Sequence, residues 1–371
     1  MPRPAPTSYG GIFNEQKEPI GDDTTAHTRE DTIVTAAETL ITLRVAHKTA
    51  EAEGVAGFEL VAADGAALPA FEAGAHLDVH LPGGLVRQYS LSNAPGGTQR
   101  YTLGVLRETA GRGGSALMHD VLAEGSLVQA SAPKNHFPLH EQASRSVLFA
   151  GGIGITPIIA MAERLCALDA PFELHYCTRN LARTAYAARL RAAPFADQVQ
   201  FHFDDGAAEQ KIDLPAQLAA PQEGVHLYVC GPKGFMDAVL ATARDAGWSE
   251  THLHFEYFAG LDVNAAHDRH FEVMLQSSGR VIRVEAAQTV VQALAAQGIE
   301  IPTSCEQGVC GTCLTRVLAG EVDHRDLYLM EDEQAKNDQF LPCCSRAKSA
   351  RLARPVVRST CKARSVGAPA S

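Results

Sequence analysis

The sequence predicts three consecutive folded units: an antiparallel β domain, a parallel α/β domain and a small C-terminal β domain wrapped around cysteines. Three observations predict it. Short runs alternating apolar and polar residues, closed by Gly/Pro turns, occupy residues 39 to 106. Beyond about residue 145 such runs alternate with helix-like segments. Near the end, Cys305, Cys310 and Cys313 stand in the order C-x4-C-x2-C, and Cys343 follows after 29 intervening residues.

The 371-residue chain is long enough for two or three domains, and 46% hydrophobic with 20% charged residues is an ordinary globular mix. With 32 basic against 43 acidic residues the net charge is −11, which argues against nucleic acid as a partner. The N-terminus has no apolar core of a signal peptide. The longest uncharged stretch, Ser146 to Ala162, is broken by Gly151, Gly152, Gly154 and Pro157 and falls short of the roughly 20 residues of a membrane span. No membrane partner is expected. Nine cysteines do not read as a disulfide framework, since Cys166, Cys177 and Cys230 lie in apolar runs. Free thiols suit a reducing cytoplasm.

Taken in order, residues 1–37 are polar and aperiodic and read as an extension. The β domain covers 38–142. Thr39–Val45, His76–Leu81, Leu85–Leu91 and Tyr101–Leu106 are its strands, with a Pro82-Gly83-Gly84 turn and one helix near Ser115–Leu122. Close spacing of short strands suggests an antiparallel barrel. The α/β domain covers 143–260. Its strands are Val147–Ala150, Phe172–Cys177, Val199–Phe203, Val225–Cys230 and His252–Phe255; its helices are Pro157–Leu168, Arg183–Arg191 and Gly234–Ala246. Strands alternating with helices mean a parallel, doubly wound sheet. Residues 261–269 read as a linker, 270–358 as the last domain and 359–371 as a tail. That domain opens with a hairpin, Phe271–Leu275 and Val281–Val284, then a helix, Thr289–Ala296.

The cysteine spacing is that of four thiolates holding a plant-type 2Fe–2S cluster. Three ligands on one loop require a backbone that wraps closely, and Gly308 and Gly311 can take positive φ or let an amide approach a sulfur. The competing reading is a four-cysteine zinc site, which usually comes as paired C-x2-4-C hooks. Cys344 adjoins Cys343, so the fourth ligand is ambiguous by one residue; Cys343 keeps the better spacing.

Gly151-Gly152-Ile153-Gly154-Ile155-Thr156-Pro157 ends the first parallel strand and opens a helix. Glycines there let the backbone approach a pyrophosphate, with Pro157 at the first helical position. It is not the G-x-G-x-x-G fingerprint, and a plain strand-to-helix turn reads the same way. Cys230-Gly231-Pro232 ends a later parallel strand, and ligands bind at the carboxyl ends of such strands. Taken singly, Cys230 reads as a buried structural cysteine. In the β domain, Arg87-Gln88-Tyr89-Ser90 offers a guanidinium fork for a phosphate, a ring to pack on a flat group and a hydroxyl. Gly113-Gly114-Ser115, at a helix start, offers a second phosphate cradle. Together the two sets could hold a flavin phosphate from two sides, and each alone could be ordinary barrel or helix-cap sequence.

These motifs, with Glu256-Tyr257-Phe258, stand in the order seen in phthalate dioxygenase reductase and its relatives, and the chain resembles that family over about residues 38 to 355. The resemblance implies a six-stranded antiparallel flavin-binding barrel, a ferredoxin reductase-like α/β domain for NADH and a C-terminal β-grasp ferredoxin domain. It implies that Arg87, Gln88, Tyr89 and Ser90 meet FMN and that Gly113, Gly114 and Ser115 hold its phosphate. Gly151, Gly152, Gly154, Thr156, Pro157, Gly231 and Pro232 would line the nucleotide site, Cys230 would sit beside the nicotinamide, and Phe258 would cover the flavin. Ser90, Cys230 and Phe258 are thereby the expected catalytic positions; Cys305, Cys310, Cys313 and Cys343 the metal ligands. The chain departs from the pattern in its longer N-terminal extension, in Cys344, where an aliphatic residue is usual, and in Pro355, which interrupts the expected final strand.

A nicotinamide gives up two electrons and the cluster takes one, so a flavin between them is chemically required. A plant-type cluster lies at roughly −400 mV, so its surroundings must tune it upward. No C-x-H pair occurs among the cysteines, so the electrons leave for a separate protein. The expectation is the reductase component of a two-component Rieske oxygenase, acting on an aromatic acid or an O/N-alkyl substrate. The alternatives are a reductase for a cytochrome P450 or diiron oxygenase, and an electron carrier with an inactive flavin site.

Overall fold

The computed structural model describes residues 40–108, 113–219, 221–258, 268–276, 278–303 and 305–354. The expected N-terminal extension, nearly all of the expected linker, and Pro355 with the tail lie outside the described residues.

The first domain contains β1 (Ile41–Ala52), β2 (Val55–Ala62), β3 (Ala75–Leu81), β4 (Leu85–Ser90), β5 (Tyr101–Leu106), α1 (Gly114–Asp120), β6 (Leu127–Ala130) and the short β7 (Lys134–Asn135). The six main strands run in the order β4-β3-β6-β1-β2-β5, with β7 added on β3. One antiparallel bridge, Leu91 to Leu103, links the ends of the two edge strands. Alternating side chains Leu43, Val45, Phe58, Leu60, Leu77, Val79 and Leu103 fill the inner face. Sequence patterning missed β2, whose run VAGFELVA alternates poorly, and β6, which is four residues long. On β3 the period is as expected, yet the outward residues His76 and Asp78 are only 3% exposed.

The second domain is a five-stranded parallel sheet in the order β10-β9-β8-β11-β12, formed by β8 (Arg145–Gly151), β9 (Phe172–Thr178), β10 (Val199–Phe203), β11 (Val225–Cys230) and β12 (Leu253–Glu256). Helix α2 (Ile155–Ala167) covers one face, with Leu148, Ala150, Tyr176 and Tyr228. Two short helices, α3 (Ala187–Arg191) and α4 (Leu214–Leu218), precede α5 (Lys233–Asp245), which covers the other face, with Val147, Phe149, Leu227 and Val229.

Three expectations are corrected here. A 3-10 turn, Gly152–Gly154, precedes α2, which begins at Ile155; Pro157 is therefore its third residue, where the backbone N–H would still lack an intrahelical acceptor. The helix expected over Arg183–Arg191 is only Ala187–Arg191, because Tyr186 adopts φ 58. That break puts the Tyr186 hydroxyl 3.2 Å from Ser92 Oγ in the first domain. His252 belongs to a 3-10 turn, and its strand starts at Leu253.

The last domain has the antiparallel pair β13 (Phe271–Leu275) and β14 (Val281–Val284), then α6 (Val290–Ala295). The Thr289 hydroxyl and Gln292 cap α6 reciprocally. Two small ladders follow: β15 (Thr315–Arg316) pairs β17 (Gln339–Phe340), and β16 (Val322–Asp323) pairs β18 (Arg346–Ala347), with α7 (Glu331–Ala335) between. Strand β19 (Arg351–Arg354) returns parallel to β13. Asp268, just ahead of β13, is held by the guanidinium groups of Arg325 and Arg346. No helix among the described residues is long and apolar enough to cross a membrane.

Candidate functional site

Three polar groups from three strands meet where the antiparallel and parallel sheets adjoin. Ser90 ends β4, and its hydroxyl donates to the carboxyl of Glu256, the last residue of β12. Glu256 is the register partner of Cys230 on β11. Burial pushes the Glu256 carboxyl up to about 8, with the Ser90 hydrogen bond acting the other way. Its Oε2 is buried and has no hydrogen-bond partner. Cys230 is fully buried, and burial, reinforced by the Glu256 charge, holds its thiol well above the ordinary range. The site therefore keeps a proton on a carboxyl near neutral pH, one hydrogen bond from a serine hydroxyl.

Arg87 and Gly114 bring the two phosphate-type motifs together. A Cβ on Gly114 would lie 2.5 Å from Arg87 Cγ and 2.7 Å from its Nε, so only glycine admits the guanidinium stem there. Gly113 takes φ 81, the left-handed region. The Ser115 hydroxyl accepts from Glu108 N at 3.0 Å and so ties the start of α1 to the end of β5. Burial pushes the Tyr89 phenol up to about 12, so it stays neutral beside Arg87.

The two glycine turns of the parallel sheet touch. A Cβ on Gly154 would collide with the Cys230 carbonyl, and one on Gly231 would lie 2.9 Å from Gly151 Cα. Those are backbone atoms, so the close approach demands glycine. Tyr176 OH donates to Gly152 O at 3.1 Å and fixes the first turn. Thr156 is buried and donates to Ile153 O at 3.1 Å. Pro232 lies 3.0 Å from where a Gly151 Cβ would stand. These atoms lie at the carboxyl ends of β8 and β11, the end at which open parallel sheets bind nucleotides. Phe258, two residues beyond Glu256, is 40% exposed.

The cysteine loop is a separate centre. Cys305, Cys310, Cys313 and Cys343 are all under 9% exposed. The Gln307 amide donates to Cys305 Sγ at 3.3 Å, and the Cys310 thiol lies 3.2 Å from Thr312 Oγ1. Gly308 and Gly311 have φ 76 and 74, and a Cβ on either would collide with Cys344 Sγ or the Tyr328 ring. Side-chain contacts link Cys305 with Cys310, Cys313 with Cys343, and Cys305 with Cys343, and Cys344 also touches Cys343. Two thiolates for each of two irons is the set that fits these pairs. The Cys344 sulfur packs against Gly308, with Leu341 O at 3.7 Å.

The structure joins Arg87 to Gly114, Ser90 to Glu256, and the Gly151–Gly154 turn to Cys230 and Gly231; the cysteine loop is a second centre. What sequence reasoning missed is the role of Glu256, visible only as part of a Glu-Tyr-Phe run. It also missed the buried residues His76 and Asp78 with the partly exposed Lys134 that pairs with Asp78, a set that needs the strand register to be seen.

Comparison with known proteins follows the same division. Residues 273–348 match the 2Fe-2S iron-sulfur cluster binding domain, and residues 128–253 match the N-terminal domain of the dimethylamine monooxygenase subunit DmmA-like family. The chain is 57% identical over 301 residues to a vanillate O-demethylase oxidoreductase of Pseudomonas sp. strain HR199, covering 81% of this chain and 95% of the relative. It is 39% identical over 313 residues to the phthalate dioxygenase reductase of Burkholderia cepacia, covering 84% of this chain and 95% of that one. A solved phthalate dioxygenase reductase, described as a modular structure for electron transfer from pyridine nucleotides to 2Fe-2S, superposes with a TM-score of 0.71 at 38% identity, over 85% of this chain and 98% of the other.

Proposed function

Because this chain belongs to the phthalate dioxygenase reductase family, we infer that it is the reductase component of a two-component Rieske-type oxygenase. It takes electrons from NADH and passes them, through FMN and a 2Fe–2S cluster, to a separate terminal oxygenase of the aromatic acid dioxygenase or O/N-demethylase kind. The observation that carries this reading is the meeting of Ser90, Cys230 and Glu256 at one seam, in a chain that also holds four buried thiols in mutual contact. Bound flavin supplies the exchange between paired and single electrons, and the bound cluster holds one electron.

The chain's own residues bind and orient. Arg87 with Gly113, Gly114 and Ser115 holds the flavin phosphate; Gln88, Tyr89 and Ser90 face the ring system. The turns Gly151–Pro157 and Cys230–Pro232 hold the nicotinamide nucleotide, with Gly152, Gly154, Thr156 and Gly231 permitting the close approach. Phe258 shields the ring. Each NADH oxidised by two one-electron acceptors releases one net proton to solvent, while the Glu256 carboxyl, protonated near neutral pH, keeps an uncharged group beside Ser90. Cys305, Cys310, Cys313 and Cys343 hold the irons. The cytoplasm, where thiols stay reduced, suits such a site.

Reconstitution tests the reading. Purified chain, NADH and a purified Rieske-type demethylase should together form product, with activity lost when any one is omitted. Turnover of a cytochrome P450 but of no Rieske oxygenase would replace the proposed partner.

A further inference from the structure

The seam contains a second buried polar group that the reading above leaves unused. His76, on β3, stands directly opposite Ser90 on β4 in the strand register. Side chains directly opposite in an antiparallel pair share a face, with Cβ atoms about 4.5–5.5 Å apart. His76 is 3% exposed and Ser90 5%. The His136 ring lies beside the imidazole, with centroids 5.3 Å apart, and Gln88 meets one of its nitrogens. Gln88 Nε2 lies 3.0 Å from His76 Nε2 and donates at 3.0 Å to Asp78 Oδ1, which fixes that nitrogen as the amide. An amide nitrogen does not accept, so His76 Nε2 must be the acceptor and Nδ1 carries the proton. Asp78 is anchored in turn by Lys134 Nζ at 2.6 Å.

His76 Nδ1 is buried and has no hydrogen-bond partner. Glu256, whose carboxyl meets Ser90, likewise has a buried and unpartnered oxygen, Oε2. Buried polar groups are nearly always satisfied, and an orphan in a native fold points to a group or water that completes it. Both orphans belong to residues that neighbour Ser90, one by strand register and one by its side-chain hydrogen bond.

We propose that His76 is a flavin-binding residue: its Nδ1–H donates, directly or across one water, to the polar edge of the isoalloxazine beside Ser90, and so favours the reduced, more negatively charged ring. Gln88 and Asp78 position this donor by fixing the tautomer, and Lys134 holds Asp78 in place. The inference rests on the flavin reading of the Arg87–Ser90 motif and adds a residue outside it.

Three variants of the full-length, FMN-loaded protein test it: His76→Phe, His76→Asn and His76→Gln. The readouts are the flavin midpoint potential, by dye-equilibrated reductive titration, and the rate of FMN loss. An Asn amide overlays Nδ1, whereas a Gln amide overlays Nε2. The Phe variant should have a lower flavin potential and lose FMN roughly tenfold faster, the scale of one hydrogen bond to a charged group. Asn should restore most of both properties and Gln should behave like Phe. A Phe variant with unchanged potential and FMN retention would overturn the assignment. Should the Phe variant not fold, equal potentials for the Asn and Gln variants would overturn it just as well. Wild-type protein that takes up no flavin defeats the functional reading itself, a result distinct from either.

Discussion

Ser90 donates a hydrogen bond to Glu256 across the seam between the antiparallel and parallel sheets, joining residues far apart in the chain. The bond ties the flavin-type motif to the end of the strand paired with the Cys230 turn. Burial at the seam, acting against this bond, makes the protonation of Glu256 a property of the folded state.

The folded pKa of Glu256 is raised from 4.5 to about 8. Between those values the folded protein keeps a proton that the unfolded chain has lost, so stability falls as pH rises through that window. Glu256→Gln should remove this dependence. Thermal midpoints measured from about pH 5 to about pH 9 should decline less on the alkaline side for the variant than for wild type; parallel curves would contradict the assignment.

His226 and His254 give the opposite sign. Their rings stack, with His226 Nδ1 2.7 Å from His254 Nε2, at the end of the parallel sheet away from the glycine turns. Burial, with help from neighbouring His140 and His252, lowers both pKa values from 6.5 to about 4. The unfolded chain takes up protons first on acidification, so stability is full above 6.5 and lost as pH falls toward 4. His254→Phe keeps an aromatic ring on Tyr228 and removes one titrating partner. Urea midpoints at neutral and at mildly acid pH should differ less in this variant.

Gly154→Ala and Gly114→Ala should fail differently. The first meets the Cys230 backbone, which cannot swing aside; it should cost about 1–3 kcal/mol of stability and abolish flavin reduction by NADH. The second meets the flexible Arg87 side chain, so the fold should survive while FMN is held more loosely. Denaturation curves and flavin content after gel filtration separate the two.

Cys305→Ser should abolish the visible spectrum of the cluster and reduction of cytochrome c, while NADH still bleaches the flavin. Cys344→Ser should retain the cluster, because Cys343 keeps the ligand spacing while the Cys344 sulfur, which touches Cys343, packs on Gly308. Iron and acid-labile sulfide per chain give the comparison.

Much of this architecture was legible from spacing alone. Strands Tyr101–Leu106, Val199–Phe203 and Val225–Cys230 fall where alternation or apolar runs place them, because local period and tertiary burial agree. The cysteine loop is legible because its chemistry fixes the number of residues between ligands. What was illegible depends on distant partners. Tyr186 leaves the helix to reach Ser92, a contact no local pattern encodes. His76 and Asp78 read as solvent-facing positions of an alternating strand, and only the covering segment around Lys134 buries them. Glu256 gains its proton from the meeting of two sheets.

The central claim is that one polypeptide converts paired electrons from NADH into single electrons leaving through iron. Anaerobic titration of the purified protein with NADH, followed through the visible spectrum, tests it most directly. Stoichiometric NADH should bleach the flavin and then the cluster. Colourless protein containing zinc and no acid-labile sulfide, or a cluster that stays oxidised beside a fully reduced flavin, would contradict it.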